Sequence, residues 1–115
     1  MTEVVIGLLF KVANGLGSGF LEKVYENALA IELRNAGLAF QQQVPITVTY
    51  QDQVVGNDIA DLVVAGQLLI ELKACRALED VHTAQCLNYL RATGLPTCLL
   101  INLGTPKPQI KRISR

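Results

Sequence analysis

Two short apolar runs in the second half of the chain restrict the fold more than any other feature. Residues Thr97–Asn102 read Thr-Cys-Leu-Leu-Ile-Asn, and residues Leu68–Ala74 read Leu-Leu-Ile-Glu-Leu-Lys-Ala. Runs of this length between turn residues have the size of strands rather than of buried helices. A strand without polar alternation is typical of the centre of a sheet that is covered on both faces. The sequence therefore predicts a sheet flanked by helices.

The other segments alternate between helical and strand periods, with a glycine-rich loop expected at Asn14–Gly19. The predicted helices are Val4–Val12, Phe20–Asn35 and Glu79–Ala92, and the predicted strands are Val44–Tyr50, Val54–Val64 with an irregular start at Gly56-Asn57, Leu68–Ala74, Thr97–Asn102 and Gln109–Ile113. The order ααβββαβ(β) predicts an α/β fold in which a mixed sheet is flanked by helices and the last helix is a crossover. At 115 residues we expect a single domain, 1–115.

Composition limits the classes of protein to which the chain can belong. It has 10 basic and 10 acidic residues and a formal net charge of zero, which excludes a uniformly basic nucleic-acid coat. No apolar stretch approaches the roughly 18–20 residues that span a bilayer, and the first residues lack the basic region of a signal peptide, so we expect no membrane association. Three cysteines without a C-x-x-C favour a reducing, cytoplasmic compartment.

Charged residues interrupt two of the predicted apolar strands. Glu71 and Lys73 are two residues apart and so project from the same face, and a hairpin turning at Ala65–Gln67 would place Asp61 opposite Glu71. Two carboxylates and one ammonium leave an excess negative charge, which a divalent cation could neutralise, and oxygen ligands favour Mg²⁺ or Mn²⁺. The alternative is an ion pair of Lys73 with Glu71 or Asp61 on a solvated face.

Other polar positions have a structural interpretation beside a functional one. Glu22 lies in the first turn of a predicted helix, where the helix dipole alone favours an acid, and Tyr25 follows on nearly the same face. Gln85 and Tyr89 are four residues apart on the next helix, so that Gln85 is either a surface amide or a group aligned with the strand site. A nucleophilic Cys86 assisted by His82, also four residues apart, is a third and weaker hypothesis.

Taken together, these residues resemble a known family. Gly19-x-x-Glu22-x-x-Tyr25, the strand with Asp61, Glu71-Leu72-Lys73 and Gln85-x-x-x-Tyr89 look like the motifs of the GxxExxY protein family, over about Val4 to Ile113. That family is assigned to the PD-(D/E)XK nuclease superfamily. The resemblance implies a restriction-endonuclease-like core. The residue before Asp61 is Ala60 rather than the proline of the nominal superfamily motif.

The resemblance implies a role for each of these residues. Asp61, Glu71 and Glu22 would bind Mg²⁺ or Mn²⁺, and Lys73 would orient or activate the attacking water. Gln85 would fill the polar position that the superfamily often has on the helix after the Glu-x-Lys strand. Basic side chains near the site would bind the phosphate groups. The candidates are Lys107, Lys111, Arg112 and Arg115. The alternative is that these four residues form only a solubilising tail.

The implied function is metal-assisted hydrolysis of phosphodiester bonds in DNA or RNA. In the alternative, the chain has the nuclease fold but does not catalyse hydrolysis. The chain would then be a binding or adaptor module that acts through a homodimer or a partner protein. The first helix favours that alternative, since it is apolar almost all round and a helix of this kind is buried in the core or against a partner.

Overall fold

The structure is a computed structural model that describes residues 1–115. Its elements are α1 (Thr2–Leu16), α2 (Glu22–Asn35), β1 (Phe40–Tyr50), β2 (Gln53–Val64), β3 (Leu68–Lys73), α3 (Asp80–Thr93), β4 (Thr97–Asn102) and β5 (Gln109–Ser114). The predicted order of helices and strands is confirmed. None of the three helices is both long and apolar enough to cross a membrane.

The five strands form one mixed sheet in the order β1-β2-β3-β4-β5. All neighbouring pairs are antiparallel except β3 and β4, which are parallel and paired from Leu68↔Thr97 to Lys73↔Asn102. Parallel neighbours need a crossover connection, and α3 provides it as predicted.

Both faces of the sheet are covered, which explains the apolar runs of β3 and β4. Helices α1 and α2 pack on one face, where Leu9 and Leu29 join a buried cluster with Ile70 of β3. Helix α3 packs on the other face over Leu69 and Leu100. The two central strands are therefore buried on both sides, as the absence of alternation predicts.

Several predicted boundaries differ from the structure, and β1 begins at Phe40, four residues before the predicted Val44. Helix α1 continues through Asn14 and Gly15 to Leu16, and the following Gly17 has a φ of 74° in the left-handed region, so the loop is shorter than expected. The irregular start of β2 is a register shift opposite Val48/Thr49, slightly before the expected Gly56-Asn57.

Helix α1 also differs from the prediction in how it is buried. Val5 and Leu9 lie in the core, whereas Val4 is half-exposed. The helix therefore buries one face and is not enclosed all round.

Strand β2 reverses its faces at Asp61. Ala60 packs against α3, whereas Leu62 packs against α1 and α2, although residues two apart in a regular strand share a face. Opposite this point in β1, Gln43 has a φ of 54° and lies between the pairs Gln42↔Leu62 and Val44↔Ala60. The side chains of β1 and β2 therefore change sides of the sheet at the same position, and Asp61 lies at that position.

Asn102 and Gly104 join the ends of β3 and β4. The fully buried Asn102 side chain accepts hydrogen bonds from the N–H groups of Cys75 and Gly104, both at 3.0 Å, and donates to the Cys75 carbonyl at 3.0 Å and to Gln109 at 2.9 Å. A side chain on Gly104 would overlap the backbone of Ala74 and Cys75. This contact holds the segment that follows Lys73.

We expect Gly104→Ala to destabilise the protein by about 2 kcal/mol or more, because the added methyl group meets backbone that cannot move aside. The matched control is Gly7→Ala in α1, where a methyl group meets open space and should stabilise the helix by about 0.5–1 kcal/mol. Urea denaturation of both variants measures the difference. Equal stability of Gly104→Ala and the wild type would contradict this account.

Candidate active site

Asp61 and Glu71 bridge the point at which β2 separates from β3. The paired register Leu62↔Ile70 places them opposite each other when it is extended by one residue, as the sequence predicts. The Asp61 N–H donates to Glu71 Oε1 at 3.1 Å, and the Leu72 N–H donates to Asp61 Oδ2 at 2.8 Å. Each carboxylate therefore accepts a backbone hydrogen bond from the other's strand.

The second oxygen of each carboxylate is free to bind something else. Asp61 Oδ1 and Glu71 Oε2 accept no hydrogen bond within the protein, and no fully buried side-chain polar atom lacks a partner, so both oxygens reach solvent. Two adjacent carboxylate oxygens are hard ligands of the kind that Mg²⁺ and Mn²⁺ prefer. The donor set thus fits such a cation.

Lys73 projects from the same face as Glu71 and is held from the side of α3. Its Nζ donates to Gln85 Oε1 at 3.1 Å, and Gln85 Nε2 donates to the Tyr89 hydroxyl at 3.1 Å. Burial, followed by the charge of Glu71, raises the pKa of Tyr89, so the hydroxyl stays neutral. Gln85 is therefore aligned with the strand site rather than being a surface amide.

Neither ion pair of the structure includes Lys73, Asp61 or Glu71. The pairs join Lys11 to Glu32 and Lys23 to Glu26, each at 3.1 Å. Glu71 is also only 4% exposed. The alternative interpretation, a solvated ion pair between Lys73 and one of the acids, does not describe this site.

The electrostatics of the two acids favour a bound cation. Burial, then the charge of Asp61, raises the pKa of Glu71 to about 8, against a smaller opposing effect of Lys73. Burial also raises the pKa of Asp61, with further contributions from the charges of Glu26 and Glu22. One lysine does not offset this many carboxylates, and a divalent ion would relieve the imbalance.

The Gly19-x-x-Glu22-x-x-Tyr25 segment forms one wall of a cavity of about 810 Å³, which Glu22 and Asp61 both line. Gly19 has a φ of 109°, a conformation that favours glycine. Tyr25 is buried, and its hydroxyl donates to the Gly17 carbonyl at 2.6 Å and accepts the Phe20 N–H at 3.3 Å. The glycine allows the turn, the tyrosine holds it, and Glu22 is presented to the cavity.

Glu22 lies apart from the other two acids. No group of three or more His, Cys, Asp or Glu side chains is gathered closely enough to hold a metal ion. The structure brings Asp61 and Glu71 together at the separation of the strands, and it places the exposed Glu22 on the wall of the shared cavity.

Glu26 is a site residue that the sequence does not reveal. It lies one helical turn after Glu22, lines the same cavity and is only 2% exposed. Its carboxylate accepts hydrogen bonds from Lys23 at 3.1 Å, Gln42 at 2.7 Å and Gln43 at 2.6 Å. Glu26 thus ties α2 to the distorted part of β1. The four-residue spacing from Glu22 is the one available signal.

The hypothesis of a cysteine nucleophile does not fit the structure. Cys86 is fully buried and pairs with Cys98, and this hydrogen bond lowers the pKa of Cys86 and raises that of Cys98. His82 Nδ1 accepts the Glu79 N–H at 3.0 Å at the start of α3. The histidine is a helix cap, and the thiols belong to the core.

The basic side chains predicted to bind phosphate lie at the edge of the sheet that β5 forms. Lys111 and Arg112 are on β5 and exposed, and Lys107 and Arg115 lie before and after that strand. Lys111 Nζ donates to the Thr83 hydroxyl of α3 at 3.1 Å. None of the four lines the cavity that contains Asp61.

Comparison with known proteins agrees with the fold. A sequence model of the PD-(D/E)XK nuclease superfamily matches residues 1–113. The crystal structure of SSO0001 is similar with a TM-score of 0.65 at 16% identity, over 99% of this chain and 57% of that one. An alkaline exonuclease from Laribacter hongkongensis, LHK-Exo, is similar with a TM-score of 0.50 at 15% identity, over 99% and 69%. No curated protein matches at a significant level.

The two structural likenesses show a common fold. The chain spans little more than half the length of the SSO0001 chain, so the likeness covers only part of that protein.

The raised pKa of Glu71 predicts that the metal-free protein loses stability as the pH rises from about 5 to 8. Glu71 holds its proton up to about pH 8 when folded but releases it near 4.5 when unfolded, so the folded state binds more protons in this window. Glu71→Gln removes this dependence and keeps an oxygen that accepts the Asp61 N–H. We expect a difference of about 3 kcal/mol across the range, since one pKa unit corresponds to about 1.4 kcal/mol.

Urea denaturation in the presence of a chelator measures this effect, and Asp52→Asn in the exposed β1–β2 turn is the control for loss of an acid. Adding Mg²⁺ at pH 8 should stabilise the wild type and not Glu71→Gln. If the free energies of unfolding of the wild type and of Glu71→Gln change in parallel with pH, burial does not raise the pKa of Glu71.

Proposed function

Because the chain belongs to the PD-(D/E)XK nuclease superfamily, we propose that it hydrolyses phosphodiester bonds of DNA or RNA with the help of Mg²⁺ or Mn²⁺. The observation that carries the proposal is the reciprocal arrangement of Asp61 and Glu71, with Lys73 beside them on the same strand face. Residues 1–115 would act as a single domain, and we propose a cytoplasmic location from the cysteine usage.

Asp61 and Glu71 would hold the cation through their free oxygens, and Glu22, which lies apart from both on the cavity wall, would act on it through bound water. A divalent cation supplies Lewis acidity to water and to a phosphate oxygen when it is bound. The protein contributes fixed ligand positions, because the backbone hydrogen bonds at 3.1 and 2.8 Å hold both carboxylates in place. Prepositioned charge of this kind is effective because it needs no reorganisation during the reaction.

Lys73 would orient the attacking water and stabilise the charge that develops on the phosphate. Its ammonium group has three donors, and the hydrogen bond to Gln85 Oε1 occupies one of them. The Lys73 ammonium can only donate, so it requires Oε1 of the Gln85 amide to face it, and the Tyr89 hydroxyl holds the other end of the amide by accepting a hydrogen bond from Nε2. Gln85 and Tyr89 are positioning residues for the lysine.

The alternative function is a catalytically silent module that acts through a homodimer or a partner protein. The observation that favours it is that the apolar helix α1 keeps Val4 outside the core, where it is 52% exposed. An interface would remove such a side chain from water. The nuclease assay below decides between the two functions.

We expect Asp61→Ala and Lys73→Ala each to reduce cleavage at least 100-fold, because each removes a group that acts on the reacting atoms. The assay uses labelled single-stranded and duplex DNA and RNA with Mg²⁺ or Mn²⁺. Lys11→Ala is the control, since Lys11 is exposed and pairs with Glu32 away from the site. Cleavage that survives both substitutions excludes this site, and a wild type that cleaves none of the substrates favours the binding module.

We expect Tyr89→Phe to lower kcat several-fold with little change in KM, because Gln85 loses the partner that orients it toward Lys73. Steady-state kinetics on the best substrate measures the effect. Tyr50→Phe, on the exposed β1–β2 hairpin, removes a hydroxyl that bonds only to Gln51 and not to Gln85, and it serves as the control. An unchanged kcat for Tyr89→Phe would show that Gln85 needs no such support.

A further inference from the structure

Apolar side chains stand exposed at the mouth of the acidic cavity. Phe20, Leu21 and Val24, which we call the apolar shelf, are 46%, 80% and 38% exposed, and Leu21 is the most exposed large apolar residue of the protein. Phe20 and Leu21 line the same cavity as Glu22 and Asp61. Whatever the cavity binds therefore meets apolar surface and carboxylates together.

The apolar shelf is held in place rather than being a loose loop. The Phe20 N–H donates to the Tyr25 hydroxyl at 3.3 Å, and the Phe20 ring packs edge-on against the Tyr25 ring with centroids 6.1 Å apart. Leu21 is the N-cap of α2, and its carbonyl accepts the Val24 N–H at 3.1 Å. A fixed apolar surface loses little conformational entropy when a ligand covers it.

The neighbouring charges do not provide the binding energy for a polyanion. Within the cavity Lys23 is the one basic residue, and its Nζ lies 3.1 Å from Glu26. A phosphate that approaches Asp61 thus depends for attraction on the cation and on Lys73. The remaining affinity must come from contacts that are not ionic, and the apolar shelf offers them.

We propose that the apolar shelf receives an unstacked nucleobase next to the scissile phosphate, so that the site takes single-stranded or frayed nucleic acid in preference to intact duplex. This rests on the proposed function. A nucleotide joins a flat apolar group to a phosphate, which matches a cavity with an aromatic ring on one side and a cation site on the other. Bases in a duplex are stacked on both faces and cannot lie against Phe20, whereas those of a single strand can.

The sequence permits a direct test, because it contains no tryptophan. Phe20→Trp places a single fluorescent indole on the apolar shelf, and Lys73→Ala in the same protein prevents cleavage under the proposed function. With Mg²⁺ present, a single-stranded oligonucleotide should quench the fluorescence, and a blunt-ended duplex of two separate strands, which has no unpaired bases, should not. Tyr50→Trp with Lys73→Ala is the control, since residue 50 is exposed on the distant hairpin.

A matched set of variants tests the energetics. We expect Phe20→Ala to weaken binding of the single strand roughly 10-fold, as for loss of one base–aromatic contact, and Phe20→Tyr to restore it. Binding is followed independently by the fluorescence anisotropy of a labelled oligonucleotide. In cleavage assays Phe20→Ala should raise KM for single strands more than KM for blunt duplex.

The two proposals fail in different ways. If the oligonucleotide binds by anisotropy but leaves the indole fluorescence of the Phe20→Trp variant unchanged, the apolar shelf does not contact bases, and the nuclease proposal stands. Equal quenching by single strand and blunt duplex overturns the proposed preference. If no oligonucleotide binds and the wild type cleaves none, the proposed function fails, and the apolar shelf fails with it.

Discussion

The pair of hydrogen bonds between Asp61, Glu71 and the backbones of β2 and β3 is the interaction on which the rest of the site depends. In the middle of a sheet, neighbouring strands bond through their own amide and carbonyl groups. Here side-chain oxygens take that place, so the amide groups of both strands keep partners where the strands separate. The separation admits solvent to an otherwise apolar sheet, and it keeps two carboxylates adjacent in spite of their mutual repulsion.

Much of this could be predicted because it follows from local rules. The short turn at Ala65–Gln67 sets the register of Asp61 against Glu71, and the two-residue period places Lys73 on the face of Glu71. The central strands are recognisable because burial on both faces removes alternation. The superfamily then follows from the order of these motifs along the chain, and the family comparison confirms it.

Other features could not be predicted, since they depend on contacts between distant segments. The left-handed backbone of Gln43 has no signature in its own residue type, and Glu26 looks like any acid on an amphipathic helix until Gln42 and Gln43 are brought beside it. Gly104 is required because the backbone of Cys75 crosses it. The end of α1 differs from the prediction because a glycine such as Gly15 is tolerated inside a helix.

The burial of Glu71 and Asp61 has a consequence for how such sequences change over time. Asparagine and glutamine would accept the same two backbone hydrogen bonds without bringing charge into the sheet, so folding alone selects against the acids. Under the proposed function a bound cation offsets this cost, so a lineage that no longer binds the cation should drift to neutral residues at these two positions.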